Sequence, residues 1–196
     1  MADKTEICNL ALAELSVDTI TLFGEDSEPG RKCRLFWDTT RRTVLTDYNW
    51  SFAKKIFALS ESSNDSVINW LYAYVYPSDC VIPRKLFVES LDESKDFDVM
   101  HSNEGSQLII VANTPNAYLE YTSDIIDTTL FDNSFIEALK YNLAAKLAKP
   151  LTGNDNLKKD MIQLYIAAID TAKRNNNLRN YKKPDITKNS PFYDCR

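Results

Sequence analysis

Few side chains in this sequence have the type and spacing that chemistry requires. His101 is the only histidine, and it stands in the polar run Asp98-Val99-Met100-His101-Ser102-Asn103. A nucleophilic triad needs an imidazole fixed beside its nucleophile, so this one reads as an exposed loop residue. Only four glycines are present, with no GxSxG, Walker-type or GxGxxG spacing, which leaves no loop to cradle a phosphate. Cys8, Cys33, Cys80 and Cys195 contain no CxxC pair, so zinc-ligand spacing is absent. Cys8 and Cys33 fall on helical stripes and read as small buried hydrophobes, and Cys195 reads as a free thiol in a polar tail. No residue is assigned as catalytic, metal-binding or cofactor-binding, and the chain reads as a non-enzyme.

The carboxylates come nearest to an active pair. Asp124 and Asp127 lie three apart, with Asp132 beyond, ahead of a helical segment. Glycoside cleavage uses two carboxyls about 5 to 9.5 Å apart, one of them raised in pKa by an apolar pocket. Acids at a helix entrance also complement the helix dipole, and capping accounts for this run without catalysis. Glu25, Asp26 and Glu28 invite the same reading. Trp50-Ser51-Phe52-Ala53-Lys54-Lys55 sets aromatic beside basic residues, but nucleic-acid stacking needs exposed rings. Trp50 and Phe52 share a face where a helix meets the first strand, so core packing is expected. No DNA-reading module is recognisable.

The elements that would position these groups follow from periodicity. Residues 5–15 read as a helix with Ile7, Leu10, Ala11 and Leu15 on one face. Asp26 or Ser27 caps a second helix, with Pro29 in its first turn. Its stripe is Cys33, Phe36, Trp37, Thr40, Val44 and Tyr48, and Arg31, Arg34, Arg41 and Arg42 are expected on its outer faces. Short β-rich runs follow at 52–59, 70–76, 81–88, 108–112 and 117–122, separated by turn-forming loops. Within Trp70-Leu71-Tyr72-Ala73-Tyr74-Val75-Tyr76, period two places the aromatics on one face and Leu71, Ala73 and Val75 on the other. Neither face is polar, so the strand is expected to be covered on both sides. Its tyrosine row, Tyr72, Tyr74 and Tyr76, suits a subunit interface.

Helical period returns at 131, with Asp132 as N-cap, a Phe131–Ile136 staple and the stripe Ile136, Leu139, Leu143, Leu147. Pro150 is expected to end this helix. A fourth helix from 155 to 174 carries Leu157, Met161, Leu164, Tyr165, Ala168 and Ala172, packed antiparallel to the third. Beyond 174, Asn175-Asn176-Asn177, Pro184 and Pro191 argue against further helix. The expected fold is α+β: a four-helix bundle (1–50 plus 131–174), an inserted small antiparallel β-sheet subdomain (51–130), and an extended C-terminal arm (175–196). With 196 residues, 44% hydrophobic and 26% charged, a core can form without metals or disulfides. A formal charge of −5 argues against non-specific adhesion to nucleic acid. No basic-then-apolar leader and no apolar run of about 20 residues occur. Synthesis and folding in a host cytoplasm, without a membrane anchor, are therefore expected.

Several of these segments, taken in order, resemble the head-to-tail adaptor family of short-tailed phages, the tail tubular protein A type. The first is Asn9-Leu10-Ala11-Leu12-Ala13-Glu14-Leu15, followed by Glu25-Asp26-Ser27-Glu28-Pro29 and a long helix ending in Trp50-Ser51-Phe52-Ala53. Next come Trp70-Leu71-Tyr72-Ala73-Tyr74 and Tyr76-Pro77-Ser78-Asp79-Cys80, then Tyr121-Thr122-Ser123-Asp124, Phe131-Asp132 and Phe135. Leu143-Ala144-Ala145-Lys146-Leu147-Ala148-Lys149-Pro150-Leu151-Thr152-Gly153 completes the series, and the likeness spans residues 7–172. Arg41-Arg42 departs from the Arg-Asp pair frequent in that family, and the C-terminal arm is this chain's own.

The resemblance implies a structural virion protein, placed in the tail at the head-tail junction. It would form a homo-oligomeric ring, typically of twelve copies, joining the portal to the tail nozzle. DNA would pass through the channel during ejection without sequence-specific binding, and no membrane partner or cofactor is implied. In such an assembly the arm residues Arg179, Tyr181, Lys182, Lys183, Phe192 and Tyr193 would contact the portal or a neighbouring subunit. Tyr72, Tyr74 and Tyr76 would face the nozzle or a neighbour. The alternative is a tail-associated, peptidoglycan-degrading, muramidase-like protein acting through Asp124 and Asp127.

Overall fold

The computed structural model describes residues 2–62, 69–88, 91–102 and 107–179. The chain is mixed α+β, with four α-helices and two small antiparallel sheets among the described residues. Helix α1 (Lys4–Glu14) begins at Asp3, whose carboxylate accepts the Glu6 N–H at 2.7 Å. Helix α2 (Glu28–Asp47) is capped by Ser27 and carries Pro29 in its first turn. Asp132 caps α3 (Asn133–Thr152) through the Phe135 N–H at 2.7 Å. Asn154 accepts the Asn156 and Leu157 N–H groups at the start of α4 (Asp155–Arg179). Each such cap satisfies an otherwise orphaned donor and contributes about 1 kcal/mol.

Buried residues of all four helices belong to one apolar cluster, joined by Trp50, Ala53 and Phe131. Helix α3 is its centre, because α1, α2 and α4 all pack against it. Small residues make this possible: Ala138, Ala144, Ala145 and Ala148 are buried along α3, letting neighbouring backbones come close. Only Gly153 and Asn154 separate α3 from α4, so the two form an antiparallel hairpin. Gly153 adopts φ +67°, the left-handed cap that ends a helix at low steric cost. Lys140 ties α1 to α3, its ammonium lying 3.1 Å from Glu14 and 2.7 Å from Glu137.

Between α2 and α3, seven strands are found among the described residues. The first sheet has the order β1-β7-β3-β4, with β1 Lys54–Ala58, β7 Tyr118–Ser123, β3 Cys80–Val88 and β4 Leu91–Lys95. The second has the order β2-β6-β5, with β2 Tyr72–Val75, β6 Leu108–Ala112 and β5 Phe97–His101. A second apolar cluster contains Leu86, Leu119 and Tyr121 of the first sheet and Tyr74, Ile110 and Ala112 of the other.

Four expectations from the sequence are corrected here. The β region holds two sheets rather than one, and β4 and β5 were not anticipated. Leu-Asp-Glu-Ser-Lys and Phe-Asp-Val-Met-His lie on sheet edges and lack the apolar alternation of a covered strand. Pro150 does not end α3, which runs on to Thr152. In the last turn its missing N–H removes one ladder bond, a cost of roughly 3 kcal/mol that the buried face of α3 outweighs. Helix α4 continues through Asn175-Asn176-Asn177 to Arg179, since asparagine disfavours a helix only by about 0.7 kcal/mol per residue. Leu10, expected inside, is exposed, while Cys8 and Leu12 take the buried face of α1.

Candidate interaction surfaces

Two arginines set the β region against the helices. Arg84, in the middle of β3, reaches the C-terminal end of α2. Its Nη2 donates to the carbonyls of Leu45 (3.1 Å), Thr46 (2.9 Å) and Tyr48 (2.9 Å), and its Nε donates to the Thr122 hydroxyl (3.0 Å). A cation there satisfies carbonyls that the helix leaves unpaired and complements its dipole. Arg41, placed on an outer face by the sequence reading, is instead buried, with its side chain 1% exposed. Its Nη1 donates to the Asp124 carboxylate and to the Ile125 carbonyl at 2.7 Å. Arg42, on the solvent side, closes on the other carboxylate oxygen, with Nη2 at 2.8 Å. Asp124 thus receives two guanidinium groups from one helix, at the point where the sheet hands the chain back to α3.

This geometry also settles the roles of the acidic run. Asp124 is a salt-bridge partner rather than a helix cap, which corrects the sequence reading. Asp127 accepts the Thr129 N–H and hydroxyl and caps the 3-10 turn Thr128–Leu130; only Asp132 caps α3. Burial works to raise the Asp124 pKa, but its bonds to Arg41 and Arg42 prevail and hold it below the ordinary carboxylate range. Hydrogen bonds from Thr129 likewise lower Asp127. A general acid needs the opposite direction, and neither carboxyl has it.

Strand β2 separates two different faces. Tyr72 and Tyr74 pair with Ala112 and Ile110 and share their face, toward the second apolar cluster. Tyr74 is wholly buried and its hydroxyl donates to the Thr114 carbonyl; burial raises its pKa and that of Tyr76. The proposed interface role of Tyr74 is therefore withdrawn, because a residue with no exposed surface cannot meet a partner. Tyr72 and Tyr76 pack half-buried against the same cluster. The other face carries Ala73, Ile109 and Val111, covered in part by Trp70 and Met100. At its rim Leu71 is 77% exposed and Val75 is also exposed. The strand is covered on both sides only at its middle.

Further exposed apolar side chains stand on β1 and α4. Strand β1 is exposed along its whole length, with Ile56 at 56% and Phe57 at 53%. On α4, Ile162 and Ile166 are one turn apart and exposed. An open, mainly apolar groove runs between α3 and α4 past Tyr141, Leu164, Ala168 and Ala172. Of the arm residues named from the sequence, Arg179 is the last residue of α4. Tyr181, Lys182, Lys183, Phe192 and Tyr193 lie outside the described residues, as does Cys195.

The remaining reactive groups are placed as follows. His101 ends β5 with its side chain exposed. Cys8 and Cys33 are buried free thiols, and hydrogen bonding between them, with burial, raises the Cys8 pKa. Among the described residues no cluster of three His, Cys, Asp or Glu side chains is arranged to hold a metal ion. No described helix is long and apolar enough to cross a membrane. No protein-family model matches this chain, and no curated protein matches it either.

Proposed function

We propose that this chain is a head-to-tail adaptor of the tail tubular protein A type, a structural virion protein whose copies form a ring joining the portal to the tail nozzle. Its body is a four-helix bundle made from residues 1–50 and 131–174, and the β region is an insertion carried by that body. The observation that carries this reading is the distribution of exposed apolar side chains. Among them, neighbouring pairs stand on three separate elements: Leu71 and Val75 at β2, Ile56 and Phe57 on β1, and Ile162 and Ile166 on α4. Scattered apolar residues are ordinary, but recurrent pairs on distinct elements fit a chain with several protein partners. A ring subunit between portal and nozzle has such a need: two lateral neighbours, one partner above and one below. The net charge of −5 suits a channel wall past which DNA slides without adhering.

In this reading the segment beyond residue 179, with Tyr181, Lys182, Lys183, Phe192 and Tyr193, docks on the portal or a neighbouring subunit. Many copies acting together supply the affinity that one ordered segment lacks. The test is to mix the full chain with the portal protein encoded in the same genome and image the product. A ring of chains stacked on the portal is expected, and its absence under conditions where the portal itself is assembled would refute the reading. A chain truncated after Leu178 should bind the portal more weakly. Unchanged binding would remove the arm contact while leaving the ring intact.

A further inference from the structure

The groove between α3 and α4 is apolar at its floor and acidic at its rim. Tyr141 of α3 and Leu164, Ala168 and Ala172 of α4 line it, and Asn175 lines it nearest the C-terminal end of α4. Leu164 keeps 39% of its surface exposed, and an apolar occupant would remove that surface from water. Among the lining residues Glu137 is the one charged group, and no lysine or arginine stands there. Its carboxylate remains 54% exposed although it bonds Lys140 at 2.7 Å. The groove therefore suits a segment that is basic and carries large apolar side chains.

Such a segment follows directly in the chain. Helix α4 ends at Arg179, about one turn past Asn175. The next residues, 180–196, lie outside the described residues and read Asn-Tyr-Lys-Lys-Pro-Asp-Ile-Thr-Lys-Asn-Ser-Pro-Phe-Tyr-Asp-Cys-Arg. Tyr181, Ile186, Phe192 and Tyr193 are its large apolar side chains. Lys182, Lys183, Lys188 and Arg196 stand against Asp185 and Asp194, in a chain that holds 28 acidic and 23 basic side chains in all. The segment is thus the basic counterpart of an acidic body. Returning along α4 from Arg179 to Leu164 covers about 22 Å, and seventeen extended residues span up to about 55 Å. The whole groove is within reach of the chain that leaves its end.

We infer that the α3–α4 groove is the binding site of residues 180–196 of the same copy. A tethered segment is held near the groove at a roughly millimolar effective concentration. It is spared the association cost that a free partner pays, which favours it over a second copy or a foreign chain. Phe192 and Tyr193 bring the largest apolar surface, and the basic side chains meet a wall with a carboxylate and no cation. The contact goes beyond the ring reading and does not rest on it. Where both hold, a free subunit keeps its docking segment covered and exchanges its own groove for the portal on assembly.

The experiment follows tryptic cleavage after Lys188 in the full chain, which tracks the population whose segment is released. Wild type is compared with two full-length variants. A167R/T171R sets two bulky cations in the groove from exposed positions on α4, and F192S/Y193S removes two apolar anchors from the segment. Circular dichroism confirms that each is folded. At a fixed trypsin concentration, cleavage should be at least about fivefold slower in wild type than in either variant. The wild-type rate should not change on dilution of the protein, because the contact lies within one copy.

Equal and rapid cleavage of all three chains overturns the inference. Protection lost in F192S/Y193S but kept in A167R/T171R seats the segment elsewhere and overturns the groove as its site. Protection that falls away on dilution moves the segment to a neighbouring copy and overturns the contact within one chain. F192S/Y193S changes nothing in the helical body, so its failure to speed cleavage overturns the inference whatever the groove variant does. The ring is read separately, by the mixture with the portal.

Discussion

Asp124→Asn should unfold this protein more readily than its modest size suggests, because the change strands a buried cation. Arg41 is 1% exposed and its Nε has no partner, so its charge is met chiefly through Nη1 by Asp124, with the Ile125 carbonyl alongside. Asp38 lies 3.5 Å from Nη2 but its side chain is 72% exposed, too wet to compensate fully. Removing one partner of a buried ion pair costs about 3 to 5 kcal/mol. Asp124 is 19% exposed, so some water reaches the site, and a loss of about 3 kcal/mol is expected. The Arg42 arm adds little, being 60% exposed. For a chain of this length the melting temperature should fall by roughly 6 to 12 °C.

Acidity supplies a second readout of the same pair. Arg41 and Arg42 overcome the effect of burial and lower the folded-state pKa of Asp124, while the unfolded value is about 3.9. The stabilisation is therefore complete above about pH 4 to 5 and is lost as pH falls through the lower folded value. The variant should lack this part of the acid limb. Replacing both partners, as in R41M/D124L, should recover most of the loss, since apolar replacement of a buried pair is often neutral. Calorimetry at pH 7 and along a series to pH 2 measures all of this. A variant within about 0.5 kcal/mol of wild type, the ordinary range for surface changes, would refute the argument that Asp124 neutralises a buried charge.

Two further outcomes follow from the helix ends. Gly30→Ala should cost about 1 to 3 kcal/mol of stability, read as a lower urea midpoint, although alanine is the better helix former. Its Cβ would lie 2.6 Å from the Glu25 carbonyl oxygen; a more stable variant would contradict the close approach. Arg84→Met should cost about 2 kcal/mol in chemical unfolding, the scale for losing hydrogen bonds made by a charged donor. It should also speed hydrogen exchange in the β region relative to α3, and uniform exchange across both would remove Arg84 as the tie between them.

The helices were legible because their signals are local. The Ser27 and Asp132 caps, the Pro29 entry and the stripe from Cys33 to Val44 each reside within a few residues of sequence. What failed was tertiary. Pro150 and the three asparagines near residue 176 are breakers by propensity, but packing and position in the last turns override propensities of this size. Arg41 looked like one more surface arginine, and nothing within its own helix distinguishes it from Arg42, its exposed neighbour. Its partner Asp124 lies 83 positions away.

The surfaces divide along the same line. Period two sorted Tyr72, Ala73, Tyr74 and Val75 into the faces the fold shows, but it placed Trp70 with the tyrosines, whereas Trp70 packs on the Ala73 side. It could not say which face the rest of the fold would cover. Tyrosines drew attention as interface residues by type, yet the fold buries Tyr74 against Ile110 and leaves Leu71 and Val75 in solvent. Likewise the edges of the first sheet exist only through strand order, β1-β7-β3-β4, which brings residues 54–58 and 91–95 to opposite ends of one layer. Sequence type nominates residues for contact, but topology decides which of them are still available, and an assembly reading has to be built on those that the monomer leaves unused.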